Sequence, residues 1–379
     1  MRAFKIGLLA VLVVISTTNF AATAPGQDTI LHRKEFVKNY NKTFTITPKH
    51  LIILANRYGK IDVKTGSSNQ AVINVTVKAN TGTQEDADKI FDRINIAFSE
   101  GPDFIKSETS IESTKSGNWF NMSFNSNSSE YTIDYDVTMP AENNLDISNK
   151  YGNSYIPTLN SWVKIEQKYG DFKLEKANSA TISLAYGKGS VGYTSGLTAN
   201  VAYGKLSSPN LKDVAITSKY SEFKFDKMEN VTIQSAYDDY DIADVTNLNI
   251  NSKYGDIEIG NLENAMIVSA YTDFNITTLA NSADFKTSYG DVKIKNLKAG
   301  FGSINIDGKY TDYVLGVGAT SSYQIDVKTS YGDVSRPASL KHRIDSEKGS
   351  SRELVGYVGE TNAKSFIKAR LSYGDLILK

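Results

Sequence analysis

A tyrosine recurs along this chain at an almost constant interval, and this feature constrains the fold more than any other. From Tyr151 to Tyr289 the steps are 17 or 18 residues, and steps of 21 residues lead on to Tyr310 and Tyr331. A fixed short period is typical of a solenoid, in which each repeat buries its apolar face by stacking on its neighbours. The full series, here called the ladder tyrosines, has thirteen members: Tyr58, Tyr151, Tyr169, Tyr186, Tyr203, Tyr220, Tyr237, Tyr254, Tyr271, Tyr289, Tyr310, Tyr331 and Tyr373.

Each repeat shows the alternation of a strand on both sides of its tyrosine. Leu248, Ile250 and Ser252 precede Tyr254 at every second position, polar residues lie between them, and the alternation resumes at Ile257. A period of two predicts β-strands with one buried face. Asparagine and glycine cluster where the unit closes, and these residues tolerate turn conformations. One unit is therefore predicted to be a strand, a Tyr-Gly-Asp corner, a short strand and an Asn-rich corner.

These units predict an all-β chain folded as a single-chain parallel β-solenoid with about 17–21 residues per coil. Hairpins of an antiparallel meander are the alternative. Each unit, however, has two turns and two strands that face inward, which suits a chain that coils once per repeat. Stacked at about 4.8 Å per strand, thirteen coils would form a rod of roughly 60 Å.

The corner itself allows two further predictions. The tyrosine shares the parity of the buried residues, so its ring is expected inside the coil, where stacked rings would fill the corner. A small residue two positions earlier is expected to leave room for the ring, as at Ser235, Ser252, Ser269 and Thr287. The glycine that follows is attributed to close backbone approach and not to positive φ. Thr272 and Thr311 take its place in two coils, and β-branched residues resist positive φ.

Composition and the N-terminus indicate export. A charged start, an apolar run over 6–15 and a small-residue exit at 22–24 predict a signal peptide over residues 1–24. No other long apolar stretch follows, so no membrane-spanning segment is expected in the mature chain. The absence of cysteine excludes disulfides, thiolate metal sites and a lipid-modified cysteine. The charges balance at 42 basic and 42 acidic residues, which is no footprint of a nucleic-acid-binding protein.

The repeat is interrupted twice. Between Tyr58 and Tyr151 the alternation gives way to a pattern of strands and one helix, predicted over Gln84–Ile94 with Thr83 as its cap. A charged stretch separates Tyr331 from a last unit at Tyr373. The predicted division is a signal peptide (1–24), a leader and first strand (25–50), a first solenoid unit (51–65), an α+β insertion and N-terminal cap (66–140), and solenoid repeats (141–379) with a C-terminal hairpin (336–363).

This combination of features resembles a known bacterial family. The features are an exported chain, a first Tyr58-Gly59-Lys60 unit, an inserted segment, and serial rungs such as SKYGD at 252–256 and TSYGD at 287–291. Residues 51–379 resemble the candidate adhesins of Bacteroidota, which carry a β-helical domain of unknown function. The resemblance implies a right-handed single-chain β-helix, a surface or secreted location and no catalytic residues.

One column of carboxylates has two interpretations. Stacked coils would place aspartates along one edge, two positions after each tyrosine. The favoured interpretation is a structural role in the turn. The alternative is a cation-binding column for an ion such as Ca²⁺, although the Gly-Gly-x-Gly-x-Asp pattern of calcium solenoids is absent. The residues concerned are Asp239, Asp256, Asp273, Asp291, Asp312 and Asp333.

Other chemistry-bearing residues point away from catalysis. The three histidines, His32, His50 and His342, are far apart and lie outside the regular repeat. Neither a nucleophile motif with a histidine partner nor a cofactor motif is visible. Two groups of aromatic residues are interpreted as packing: Trp162, and the insertion residues Trp119, Phe120 and Phe124, for which a sugar- or protein-binding patch is the alternative.

The predicted function is therefore that of an exported, non-enzymatic, adhesin-like binding or surface scaffold. Long flat faces suit extended partners, and the expected partner is an unknown protein or glycan on the cell surface. No cofactor and no nucleic acid are expected. The expected location is the periplasm, the cell surface or the extracellular medium. An envelope structural protein without a ligand and a carbohydrate-active enzyme are the alternatives. Binding specificity is predicted where the repeat stops, at 66–140 and between Tyr331 and Tyr373.

Overall fold

The computed structural model describes residues 33–66, 69–112 and 131–379. The predicted signal peptide, His32 and the aromatic group at Trp119, Phe120 and Phe124 lie outside the described residues. The described chain is all-β apart from one helix. Its elements are β1 (Lys34–Thr45), β2 (Leu51–Arg57), β3 (Ile61–Thr65), β4 (Gln70–Thr81), α1 (Gln84–Arg93), β5 (Ile94–Glu100), β6 (Phe104–Ile111), β7 (Tyr131–Met139), β8 (Asn144–Lys150), β9 (Ser154–Thr158), β10 (Trp162–Lys168), β11 (Phe172–Ala185), β12 (Lys188–Ala202), β13 (Lys205–Ser208), β14 (Asn210–Lys219), β15 (Glu222–Ala236), β16 (Asp239–Ser288), β17 (Val292–Leu297), β18 (Ser303–Lys309), β19 (Tyr313–Val317), β20 (Tyr323–Ser330), β21 (Val334–Ser335), β22 (Lys341–Lys348), β23 (Ser351–Val358), β24 (Ser365–Ser372) and β25 (Leu376–Leu378).

Equivalent strands of successive repeats lie side by side and parallel. Strand β11 pairs with β12 in a register that places Ile182 beside Ala199, a step of 17 residues. The same offset continues through β14 and β15. The longer step of 21 residues also keeps the register, because β18 pairs with β16 with Ile304 beside Ala283. The chain thus forms a β-solenoid-like stack in which each repeat is one coil, named here by its ladder tyrosine.

Inward-facing residues of all coils form one continuous apolar core. Ile233, Ile250 and Ile267 occupy the same position in three successive coils and are fully buried. Burial of each such side chain contributes about 1.5–3 kcal/mol. The residues between them point outward, so the period of two read from the sequence separates core from surface.

At the N-terminal end, the Tyr58 coil packs directly on the Tyr151 coil. Strands β2 and β3 pair in parallel with β8 and β9 on one side and with β6 and β7 on the other. Strands β1, β4 and β5 add antiparallel pairings beyond them. Helix α1 confirms the predicted helix: the Thr83 side chain caps it by accepting from the Asp86 N–H, and Ala87, Ile90 and Phe91 are buried.

At the C-terminal end, the order of the coils in space differs from their order in the chain. Strand β24 pairs with β18 on one side and with β20 on the other, and β25 lies between β19 and β21 in the same way. The Tyr373 coil is therefore inserted between the coils of Tyr310 and Tyr331. The interpretation of the Tyr373 unit as the last coil of the stack is wrong, because its strands pair with a neighbouring strand on each side. The antiparallel hairpin β22–β23 continues the sheet beyond β20.

Candidate binding face

The ladder tyrosines form a stack of rings on the outside of the corner. In spatial order from Tyr58 to Tyr310, then Tyr373 and Tyr331, neighbouring ring centroids lie 4.6–5.1 Å apart with interplanar angles of 1–11°. Twelve of the thirteen side chains are 40–61% exposed. The prediction that the rings lie inside the coil is wrong.

The reason is the backbone conformation of the tyrosine. All thirteen ladder tyrosines have positive φ, between 53° and 64°. A left-handed residue breaks the alternation of the strand, so the parity of the preceding residues no longer decides where its side chain points. This conformation costs a residue with a Cβ about 1–2 kcal/mol. Stacking on two neighbouring rings, at about 0.5–1.5 kcal/mol per pair, offsets that cost.

The glycine after the tyrosine is explained by crowding, as predicted. A Cβ at Gly187 would lie 2.0 Å from the carbonyl oxygen of Gly170 in the preceding coil, and the same holds at Gly170 and Gly374 with distances of 2.1 Å. Of the nine glycines in this slot, Gly255 alone has positive φ. In the other coils the slot holds residues with buried polar side chains: Ser221, Asp238, Thr272 and Thr311.

Inside the corner, small hydroxyl residues make hydrogen bonds. The Ser235 and Ser218 hydroxyls donate to the buried Asp238 carboxylate at 2.7 and 2.8 Å, and Ser218 also contacts the Tyr240 hydroxyl at 2.8 Å. Thr287 contacts the Tyr313 hydroxyl in the same way. The expectation that these residues leave room for the ladder ring is therefore wrong, because the ring lies on the other side of the backbone.

Burial shifts the ionisation of this group. Burial raises the pKa of Asp238, and its hydrogen bonds with Ser235, Ser218 and two backbone N–H groups counteract part of the effect. Burial also raises the pKa of the Tyr240 hydroxyl. Because these side chains are enclosed in the core, they act on stability and are not placed to meet a ligand.

The aspartates after the corner form a hydrogen-bonded column. The Asp239 carboxylate accepts from the backbone N–H of Asp256 at 3.2 Å, and the Asp273 carboxylate accepts from that of Asp291 at 2.8 Å. The same bond joins Asp312 to Asp375, and Asp375 to Asp333. These bonds fit the structural role in the turn. In the described part of the chain, no group of three or more Asp, Glu or His side chains is arranged to hold a metal ion.

The remaining single residues occupy separate places. His50 bonds through Nδ1 to the backbone N–H of Thr47, whereas His342 lies on the exposed strand β22. Trp162 is 38% exposed, so interpreting it as core packing is wrong. The described histidines thus form no joint site.

Two outward faces of the middle coils differ sharply in charge. We define the central face as the outward residues one, three and five positions before the tyrosine in the six coils from Tyr186 to Tyr271. Two of its eighteen residues are charged, Lys219 and Lys253. In the same coils, nine of the twelve residues two and four positions after the tyrosine are charged. The central face comprises Thr181, Ser183, Ala185, Thr198, Asn200, Ala202, Ala215, Thr217, Lys219, Thr232, Gln234, Ala236, Asn249, Asn251, Lys253, Met266, Val268 and Ala270.

A groove of about 910 Å³ runs along one border of the central face, across seven coils. One wall is a row of hydrogen-bonded amides: Asn230 donates to Asp213, and Asn247 and Asn264 each donate to the amide before it, at 2.8–3.0 Å. The other wall contains small residues such as Thr232 and the exposed Met266, and it ends at Asp284 in the seventh coil. The groove can therefore accept an extended, uncharged surface that offers hydrogen-bonding and apolar groups.

Sequence reasoning expected long flat faces to suit extended partners, but it did not identify which face is used. The sequence does contain a signal for this face, in the residues at equivalent positions of successive repeats. Aligning the repeats on their tyrosines shows threonine, serine, asparagine and alanine in six successive coils. The described strands of the interrupted regions form the ends of the stack. The predicted location of specificity in those regions stays a prediction.

One family profile matches part of the chain. Residues 195–379 match the sequence profile of the Toastrack DUF4097 family, which confirms the resemblance inferred from the motifs. A comparison with curated proteins gave no match. Within the described residues, no helix is long and apolar enough to cross a bilayer.

Solved structures similar to this chain come from several bacteria. A candidate cell adhesion protein from Clostridium sporogenes is 9% identical, with 90% of this chain and 99% of that chain covered and a TM-score of 0.20. A candidate adhesin from Bacteroides fragilis is 11% identical, with coverages of 90% and 97% and a TM-score of 0.20. A candidate adhesin from Parabacteroides merdae is 12% identical, with coverages of 90% and 96% and a TM-score of 0.23.

Proposed function

We propose that this chain, which matches the Toastrack DUF4097 profile over residues 195–379, is an exported, non-enzymatic binding scaffold of the adhesin kind. The observation that carries this proposal is the charge difference between the two faces of the middle coils. Solvated faces of a soluble protein normally mix both charges. A grooved face with sixteen uncharged residues of eighteen is the kind of surface that a partner covers.

The chemistry of the central face defines the partner. Its hydroxyl and amide groups donate and accept hydrogen bonds, and Met266 and Val268 add exposed apolar area. An uncharged protein or glycan surface fits this pattern, whereas a polyanion would require a basic stripe. Charged residues are depleted at the centre of protein interfaces, as they are here.

The same structure supports a non-enzymatic role. In the described residues, the two histidines lie apart, and the one strongly buried carboxylate in the corner slot, Asp238, is held by serines inside the core. The central face itself has no carboxylate pair of the kind used for glycoside hydrolysis. Binding, and not turnover, is the activity for which these residues are suited.

The proposal includes a finer description of the chain. The coil is taken as right-handed, with residues 1–24 as a signal peptide, 25–50 as a leader with a first strand and 51–65 as the first unit. Residues 66–140 are taken as an α+β insertion that caps the stack, and residues 141–379 as repeats with a hairpin at 336–363. Surface exposure of an epitope tag on intact cells, compared with fractionated periplasm, tests the location.

Bead attachment tests the function. Beads coated with the protein should attach to cells of the producing bacterium or to one another. Thr232→Glu places a charge on the central face and should abolish attachment, whereas Asn275→Glu, the matched change on the charged face, should leave it intact. Equal attachment by both variants would contradict the assignment of the face. Beads that attach to nothing would favour an envelope structural protein without a ligand.

A further inference from the structure

The geometry points to a specific partner for the central face, namely a second copy of this chain. The two copies pack face to face about a two-fold axis that runs parallel to the strands, between the coils of Tyr220 and Tyr237. This inference rests on the proposed function, since it uses the same face. It is carried by the charges that border the face and by the register that they select.

The two coils that border the face carry opposite charges in the same columns. The Tyr169 coil presents Lys164 and Glu166, five and three positions before its tyrosine, and the Tyr289 coil presents Asp284 and Lys286 at those positions. The two-fold rotation places the Tyr169 coil of one copy on the Tyr289 coil of the other. Lys164 then faces Asp284 and Glu166 faces Lys286. Because a two-fold interface repeats each contact, both ends of the interface gain these pairs.

The lysines one position before the tyrosine select the same register. Lys219 and Lys253 face Ala236 and Ala202 of the other copy, and Lys168 faces Ser288. A shift by one coil places Lys219 against either Lys219 or Lys253 of the other copy. Like charges in contact oppose association. Of these arrangements, the register centred between Tyr220 and Tyr237 places the lysines of this column in the coils from Tyr169 to Tyr289 opposite small uncharged residues.

The direction of the axis follows from the same charges. If the axis ran along the solenoid instead, each coil would face its own counterpart with reversed strands. Lys164 would then oppose Lys168 of the same coil in the other copy. The ion pairs at the borders would become repulsive contacts, so the axis parallel to the strands is the favoured one.

Shape and area are consistent with this packing. Met266 and Val268, the large apolar residues exposed on the face, would lie opposite the small side chains of Thr181 and Ser183. Eight strands spaced at about 4.8 Å and seven residues long at about 3.3 Å per residue cover roughly 900 Å². The two copies would bury about 1,800 Å² in total, which is within the range of a standard stable interface.

The coils beyond the border end the interface. Lys150 and Lys309 would face each other there, but their ammonium groups lie over the ladder rings. The Lys150 Nζ is 5.1 Å from the Tyr151 ring centroid and the Lys309 Nζ is 6.0 Å from that of Tyr310. Both charges are thus directed toward the tyrosine ladder and away from the centre of the face.

Sedimentation equilibrium with charge-reversed variants tests the inference. Within one chain, Lys164 pairs with Asp146 at 2.9 Å and Glu166 pairs with Lys168 at 2.8 Å. The test therefore reverses Glu166 and Lys286, and the mixture and the double variant separate the contact between copies from the loss of the intrachain pair. The mature wild-type chain is expected to be dimeric at about 100 µM. Glu166→Lys and Lys286→Glu should each weaken the dimer at least tenfold. An equimolar mixture of these two variants should form heterodimers, and the double variant should recover wild-type affinity.

Two matched controls reverse charges on the other face. Glu258→Lys and Lys293→Glu should leave the dimer unchanged, and circular dichroism should show the native strand content in all variants. A monomeric wild-type chain at this concentration would overturn the inference, as would single reversals without effect or a mixture that stays monomeric. If the chain is monomeric and its beads attach to cells, the inference of a dimer fails and the proposed function stands. If the chain is dimeric and its beads do not attach, the proposed function fails and the dimer stands.

Discussion

Two populations of tyrosine lie at the same corners of this solenoid, on opposite sides of the backbone. The ladder tyrosines have positive φ and exposed, stacked rings. Tyr240 and Tyr313 lie three residues after a ladder tyrosine, are buried, and bond through their hydroxyls to Ser218 and Thr287. Tyrosine therefore has two roles at these corners: inside the coil it packs the core, and outside it stacks on neighbouring coils and keeps them in register. The backbone conformation of the residue decides which role it takes.

The inner population should matter most for stability. Tyr240→Ala removes a fully buried ring that stacks on Phe223 at 4.4 Å, and it should lower the free energy of unfolding by about 3–5 kcal/mol. Urea denaturation followed by circular dichroism measures the change. Tyr237→Ala in the same coil is the matched outer variant and should cost less than half as much. Equal costs would break the distinction between the two populations.

Crowding at the corner should give the next largest effect. Gly187→Ala places a Cβ 2.0 Å from a carbonyl oxygen, whereas at Gly204 the nearest atom is 3.0 Å away. We expect a loss of about 2–3 kcal/mol for Gly187→Ala and a clearly smaller loss for Gly204→Ala. Thermal melts of both variants compare them directly. A larger effect at Gly204 would show that close approach is not the reason for the glycine.

Variants of one ladder tyrosine separate stacking from backbone strain. Tyr220→Phe keeps both ring stacks and should be nearly neutral. Tyr220→Ala loses the stacks and retains the left-handed conformation, for a cost of about 1–3 kcal/mol. Tyr220→Gly loses the same stacks but relieves the strain, so it should be more stable than the alanine variant by about 1 kcal/mol. Denaturation midpoints give the order of stability of the three variants. An alanine variant that is more stable than the glycine variant would contradict the expected order.

The buried Asp238 should introduce a pH dependence. Burial raises the pKa of this carboxyl above its ordinary value of 3.8, so the folded state holds its proton more tightly than the unfolded state. Its contribution to stability is therefore present below about pH 3.8 and is lost as the pH rises through the raised pKa. Relative to Asp238→Asn, the wild type should lose stability as the pH rises above about 3.8. Melting temperatures of the wild type and Asp238→Asn that change in parallel with pH would rule out this contribution of Asp238.

The outer aspartates should show the smallest effect. Their carboxylates accept backbone N–H groups of the next coil, so we expect no change in melting temperature when Ca²⁺ or a chelator is added. Isothermal titration with Ca²⁺ should give no binding heat. Saturable uptake of Ca²⁺ that Asp256→Asn abolishes would favour the cation column over the turn role.

The period and parity of the sequence were sufficient to predict the coils, because the spacing of the tyrosines encodes the offset between paired strands. The alternation of buried and exposed residues predicted the wrong side for the tyrosine itself. Alternation assumes an extended backbone, and the left-handed tyrosine interrupts it. The place of the Tyr373 coil could not be inferred, because its motif is the same as those of its neighbours. Only the pairing of β24 with both β18 and β20 reveals it.

The central face was missed for a different reason. Its residues are unremarkable one by one, and Thr198 or Ala215 carries no motif. Their meaning arises when six coils are aligned and the surrounding charges are compared across the face. The sequence contained this information, but only the stack shows which columns lie side by side.

The inserted coil at the C-terminal end has a mechanical consequence. In a simple stack, tension applied at the end of the chain peels away the outermost coil, one row of bonds at a time. Here tension from the C-terminal side would act on a coil held between two others, because β25 pairs with β19 and β21, and β24 pairs with β18 and β20. Removing this coil requires the strand pairings on both of its sides to break. The chain is thus built to resist pulling from that side more strongly than its repeats alone would allow.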